Sequence, residues 1–235
     1  MDAPADRLVP PGALATTWLI ARKDLLIEFR TRSAFLAALV FALLAVVIFR
    51  FSWDPTAVPA IDLAPGVLWV IFVFSGLLGL HRSFGVEEAD RAMDGLLAAP
   101  IGREALFAGK ALANLVFVAA VQMVAVPAVA LFYDLPLWEV LPGLVLLSAL
   151  AAVGLVAVGT LFSAMTTNTR LAELLLPMLA LPFFVPVVTP AALGTAKLLA
   201  GRPFAELVPM LKLLGAFDIV FLVACTLAFP FTLED

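Results

Sequence analysis

The side chains able to do chemistry are few for a chain of this length, and the densest run of them is Glu87, Glu88, Asp90, Arg91 and Asp94. Between these charges Val86, Ala89, Met93, Leu96 and Leu97 recur at i, i+3, i+7, i+10 and i+11, the spacing of one helical face. Glu87 precedes Arg91 by four residues in the favourable order, an exposed pair worth about 0.3 kcal/mol, and Gly95 and Pro100 punctuate the end. A short helix of this kind suits a surface that receives a push from a soluble partner, with charges meeting the partner and the apolar edge moving the attached elements. A solvated connecting helix has the same pattern, so both readings stand at this level.

Two further polar groups lie inside apolar runs, Gln122 and Asp218. Ionisable groups at membrane depth are functional candidates by default. Asp218 either shares a polar cavity with Gln122 or another helix, or occupies a plain interfacial position; Lys212, six residues earlier, is too far around the helix to face it. Lys110 and Asn114 open the third apolar run, where Lys110 is expected to snorkel to the interface. The single histidine, His81, has no Cys, Met or His neighbour and reads as an interfacial polar residue rather than a metal or haem ligand. The single cysteine, Cys225, reads as a packing residue.

Catalytic constellations find no support. One histidine and one cysteine far apart do not make a triad or dyad, and no HExxH motif or paired carboxylates occur within a span. Gly102 and Gly109-Lys110 do not form a phosphate loop, because six residues separate the glycines and Ala111 stands where Ser or Thr is required. If ATP drives this protein, another chain binds it.

The elements that must hold these residues are membrane spans. Hydrophobic residues make up 64% of the 235 and charged ones 14%, with a mean hydropathy of +1.13, against about 45–50% and about 25% in soluble domains. Six runs approach the length of about 17–25 residues that crosses a bilayer, at 33–51, 65–82, 104–132, 141–163, 171–192 and 209–231. The fold class is therefore an all-α polytopic membrane protein, divided into 1–32 and a six-helix domain over 33–235 that includes the segment 84–100.

Orientation follows from lysine and arginine, which accumulate in short cytoplasmic segments. With the N-terminus inside, ten of the fourteen lie on the inner side, leaving Arg50, Lys197, Arg202 and Lys212 outside. Both termini are then cytoplasmic. The residues before the first span lack an apolar h-region with a cleavage site, so that span is expected to persist. The net charge of -4 and the lack of a basic cluster with interleaved aromatics exclude a nucleic-acid partner.

Residues 13–32 carry a stripe of Leu14, Trp18, Ala21, Leu25 and Phe29 beside Arg22, Lys23, Asp24, Glu28 and Arg30. The pattern predicts an amphipathic helix on the inner surface that turns into the membrane at Ser33. Ile20 and Ile27 fall off the stripe, and an extension of the first span remains the alternative. Small residues at four-residue spacing, Ser75 with Gly79, Ser148 with Ala152 and Gly159 with Ser163, suit close helix crossings. In the fifth run Pro177, Pro182, Pro186 and Pro190 remove backbone donors, which predicts a bent or interrupted span between Pro177 and Pro190.

Several of these stretches resemble the CcmB family, the membrane subunits of cytochrome c maturation haem exporters. LAPGVLWV at 63–70, RSF at 82–84, GLLAAPIGREALFAGK at 95–110 and LLLPMLALPFFVPVV at 174–188 are similar to the corresponding family stretches, and length and span count agree. The resemblance implies an ABC-2-like exporter permease of a bacterial inner membrane, working with a soluble ABC ATPase subunit, a second copy of itself, a haem-handling membrane subunit and a small membrane subunit. It also implies that Glu87, Glu88, Asp90, Arg91 and Asp94 form a coupling helix. ATP and Mg would bind the partner, haem would be the cargo, and no cofactor is expected on this chain. Two mechanisms follow from the family: a permease whose bundle forms the haem path, and a mechanical or assembly subunit that relays motion and releases a haem-loaded chaperone. A permease for another hydrophobic substrate is the further alternative.

Overall fold

The computed structural model describes residues 12–89, 101–166 and 171–233. Within these the chain forms seven α-helices: α1 (Ala13–Thr31), α2 (Ser33–Ser52), α3 (Ala60–Ala89), α4 (Arg103–Tyr133), α5 (Leu137–Thr166), α6 (Ala172–Leu199) and α7 (Val208–Ala228), the last followed by a 3-10 turn (Phe229–Leu233). The final six supply spans long and apolar enough to cross a membrane. Hydrocarbon offers backbone groups no partners, so apolar sequence of this length settles as helix.

α3 and α5 have the most buried spans. α3 packs on α2, α4, α5 and α6, and α5 on α3, α4, α6 and α7, so these two helices form the centre of the bundle. The small residues mark the crossings. A side chain at Gly79 would meet the Phe117 ring, one at Gly159 would meet Leu80, and the Ser163 hydroxyl donates to the Leu80 carbonyl at 2.6 Å.

α1 is distinct from the first span. Arg32 between them takes the left-handed conformation (φ 53°, ψ 8°), which costs a non-glycine residue about 1 kcal/mol. Its N–H donates to the Glu28 carbonyl at 2.6 Å, and the Glu28 carboxylate accepts the Phe35 N–H at 2.8 Å. One acidic side chain thus caps the start of α2 from the end of α1.

The stripe expected on α1 is only part of its apolar surface. Leu14, Trp18 and Phe29 are exposed, but the residues docked in the bundle are Thr16, Ile20 and Ala21. Ile20, which breaks the amphipathic pattern, is the anchor: it lies against Gly109 of α4, where any side chain would come within 2.7 Å of it. α1 therefore has two apolar faces, one on the bundle and one exposed, and the expected stripe is split between them, with Ala21 docked and Leu14, Trp18 and Phe29 exposed.

α6 runs from Ala172 to Leu199 with Pro177, Pro182, Pro186 and Pro190 inside it, so of the bend or interruption expected there the interruption does not occur. Pro182, Pro186 and Pro190 follow one another at four-residue spacing, which confines their missing donors to one side and leaves the ladder on the others. α3 begins at Ala60, five residues before the expected start, with Pro65 inside it.

At the ends joined by residues 53–59 and 134–136, Arg50 Nε donates to the Phe132 carbonyl at 2.9 Å, a cation at a helix C-terminus. Asp54 accepts the hydroxyl and the N–H of Thr56, and these bonds hold its carboxyl below the usual range. Lys197 pairs with Glu206 at 3.2 Å at the end of α6.

Candidate functional site

The opposite end of the bundle gathers the basic residues and contains a buried polar junction that ties four helices together. Its centre is Lys110, on the second turn of the apolar part of α4. The expectation that Lys110 snorkels is overturned: its side chain is 0% exposed. Its ammonium lies 3.0 Å from Asp24 Oδ2 of α1, donates to the Ser83 carbonyl of α3, and stands 4.8 Å from the centroid of the Phe84 ring.

Each contact has a local cause. Gly109 lets α1 approach α4 until Ile20 touches the glycine, which brings Asp24, one turn further along α1, within reach of the next residue. Thr17 adds a hydroxyl bond to the Ala105 carbonyl at 3.4 Å. Asn114, one turn beyond Lys110 on the same face, donates to Ser83 Oγ and to Thr160 Oγ1 of α5, both at 3.0 Å. Phe84, Phe107 and Phe229 close the site from below, with Phe229 5.3 Å from Phe107 and 6.1 Å from Phe84 between ring centroids. Arg103 fixes the C-terminal turn by donating to the Pro230 carbonyl at 2.9 Å. A buried ammonium is costly unless paired and hydrogen-bonded, and here the carboxylate, the carbonyl and the ring meet those needs together.

The junction sits at the base of the charged segment. Residues 84–89, expected to begin a separate surface helix, continue α3 without a break, so Glu87 and Glu88 are on the last turn of the helix whose span is Ala60–Phe84. Asp90, Arg91 and Asp94 lie outside the described residues, as do Gly95 and Pro100. Ser83 and Phe84, both held by Lys110, are the last residues before that charged turn.

Asp218 and Gln122 are both buried, as their positions in apolar runs suggest, but they do not meet. Asp218 of α7 packs on Gly154 of α5, where a side chain would come within 2.8 Å of its Oδ1. Gln122 of α4 is one turn past Val118, which packs with Ala152 and Val156 of α5. The two groups are not hydrogen-bonded to each other. Among the described residues neither Asp218 oxygen nor Gln122 Nε2 has a hydrogen-bond partner. His81 is half-buried near the end of the α3 span, and Cys225 is buried on α7.

Sequence reasoning missed the Lys110–Asp24 pair because the two residues are far apart in the chain. The available signal was the i, i+4 pair Lys110 and Asn114 on one face of an apolar helix, directly after a glycine.

The Gly109-Lys110 pair ends the stretch at 95–110 that resembles CcmB, and the CcmB protein family matches residues 15–235 of this chain. The chain belongs to the CcmB family. Among its relatives is heme exporter protein B of Paracoccus denitrificans, 32% identical over 206 residues that cover 88% of this chain and 89% of that protein. Heme exporter protein B of Rhodobacter capsulatus is 32% identical over 170 residues, covering 71% and 76%. That of Pseudomonas aeruginosa is 28% identical over 185 residues, covering 79% and 82%. The CcmB match begins at residue 15 and so includes α1 with Asp24, the turn at Arg32 and the whole bundle.

Proposed function

We propose that this chain is the permease subunit of an ABC transporter that exports haem for cytochrome c maturation, set in a bacterial inner membrane with both termini in the cytoplasm. Membership of the CcmB family across the bundle is the observation that carries the reading. Six apolar helices fit a multi-pass subunit, and the basic end with Arg30, Arg32, Arg82, Arg103 and Lys110 is the cytoplasmic end by the distribution of charge.

In this reading a separate ATPase subunit, holding ATP and Mg, docks on Glu87, Glu88, Asp90, Arg91 and Asp94. Closure of the ATPase pushes the end of α3. Because α3 is unbroken from Ala60 to Ala89, the push enters the core rather than bending a linker. The Lys110 clasp passes it to α4 and α1, so the three elements move as one body. A second copy of the chain, a haem-handling membrane subunit and a small membrane subunit complete the complex.

A mechanical role, in which the spans relay motion to a neighbouring haem-handling protein without conducting haem, has one specific observation in its favour. The intramembrane polar groups Asp218 and Gln122 are buried and not hydrogen-bonded to each other, which supports a reading in which they do not act as one polar site.

The test is genetic and biochemical together. Loss of the chain should abolish holo-cytochrome c while apocytochrome and haem synthesis persist, and the purified chain should stimulate ATP hydrolysis by its partner ATPase. Normal holo-cytochrome c in the deletion strain would remove the reading. Stimulated ATPase without haem movement in vesicles containing only these two proteins would select the mechanical role.

A further inference from the structure

At the basic end a cleft of about 610 Å³ opens between α1, α2, α3 and α4. Its rim is polar, carrying Asp24, Glu28, Arg32, Ser33 and Arg82, and its inner wall is apolar. The two carboxylates are already engaged: Asp24 by Lys23 and Lys110, and Glu28 by the Phe35 N–H. Arg82 donates to Ser33 Oγ, so its guanidinium borders the same rim as Arg32, the residue before Ser33. Arg32 rests over the Phe29 ring, 5.3 Å from its centroid. Both arginines are exposed, and neither faces a carboxylate among the described residues. The rim therefore presents two guanidiniums at the level where α2 starts and the α3 span ends, the headgroup level of the membrane.

From this rim the wall runs along Phe35, Phe117 and Ala120. Ala113 and Ala120 are both lining residues, and the step of seven positions from one to the other corresponds to about 10 Å of helix. Leu36 and Val116, also lining, are 54% and 44% exposed, so the cleft opens sideways toward hydrocarbon rather than only toward water. Its volume falls within the range of about 300–1,000 Å³ typical of small-molecule sites. The lining has no His, Cys, Met or Tyr that could ligate a tetrapyrrole iron. The fitting occupant is anionic at one end, apolar at the other and able to enter from within the bilayer, which describes a lipid.

We propose that this cleft seats one anionic phospholipid of the leaflet on the basic side, its phosphate between Arg32 and Arg82 and an acyl chain along Phe35, Phe117 and Ala120. The lipid would brace α1 against α2 and α4 beside the Lys110 clasp. The proposal does not depend on which cargo the complex moves.

The test is native mass spectrometry of the full chain released from nanodiscs of equal parts phosphatidylglycerol and phosphatidylcholine. One phosphatidylglycerol should be retained with a preference on the order of tenfold, from two arginines near the surface. Replacing both arginines, Arg32→Gln with Arg82→Gln, should bring the preference close to unity. Ala120→Phe, which fills the tail end and leaves the rim intact, should reduce total lipid retention with unchanged circular dichroism. Equal retention of the two lipids by the wild type, or unchanged retention in both variants, would overturn the proposal. Displacement by excess inorganic phosphate would make this a free-anion site, and displacement by equimolar haemin a tetrapyrrole site; either result also overturns it.

Discussion

The Lys110 ammonium lies 3.0 Å from the Asp24 carboxylate across 86 residues of sequence, and the lysine side chain has no exposed surface. This pair joins the N-terminal helix to the base of the charged segment through one side chain, since the same ammonium holds the Ser83 carbonyl. Removing one member of such a buried pair leaves the other uncompensated. Lys110→Met should destabilise the protein by on the order of 3 kcal/mol, read as a lower melting temperature in detergent. Asp24→Asn added to Lys110→Met should recover part of the loss, and strictly additive effects would show that the two residues do not interact.

Gly109 makes that pairing sterically possible. A methyl group there would approach the Ile20 side chain to 2.7 Å and the Thr17 carbonyl to 2.9 Å, and a backbone carbonyl cannot swing aside. Gly109→Ala should lift α1 from α4 at a cost of about 1–3 kcal/mol, with faster proteolysis within Ala13–Thr31 as the readout. An unchanged cleavage rate would place the α1–α4 contact elsewhere.

Asp218 is buried with neither oxygen hydrogen-bonded among the described residues. Since no partner would be lost, Asp218→Asn should insert normally and melt no lower than the wild type, within about 0.5 kcal/mol. A clear fall in melting temperature would reveal a partner for the carboxylate. Loss of holo-cytochrome c with unchanged stability would mark Asp218 as functional.

Topology is tested independently of the mechanism. Reporter fusions after Pro59, Trp138 and Ala200 should behave as external, and fusions after Asp90, Thr167 and Asp235 as internal, from the bias of lysine and arginine. Reversal at any two of these sites would refute the orientation.

The spans are legible in sequence because hydrocarbon imposes one condition on all of them, a continuous apolar length, and the helices at Ser33–Ser52, Arg103–Tyr133 and Val208–Ala228 begin and end close to where that condition places them. The prolines of α6 suggest a bend or a break, and the break does not occur. A proline's lost donor is local, and lost donors confined to one side leave a helix that tertiary packing can hold. The junction is the least legible part. Periodicity reports one face at a time, whereas α1 uses Thr16, Ile20 and Ala21 on the bundle and leaves Leu14, Trp18 and Phe29 exposed. Lys110 at the mouth of an apolar run has the signature of a snorkelling residue; only the approach of α1 over Gly109 supplies the carboxylate that lets it stay buried.

Coupling to an ATPase through the charged segment is the central claim, and it is tested by removing the charges while leaving the apolar packing intact. The variant combines Glu87→Ala, Arg91→Ala and Asp94→Ala, because exposed charge contacts are individually worth under about 1 kcal/mol and single changes would be silent. The decisive measurement is the amount of ATPase that co-purifies with normally inserted variant, read beside holo-cytochrome c yield. The account predicts that both fall severalfold while the melting temperature of the isolated chain is unchanged. Wild-type values for both would show that the end of α3 and the segment after it are only a solvated connection, and would contradict the account.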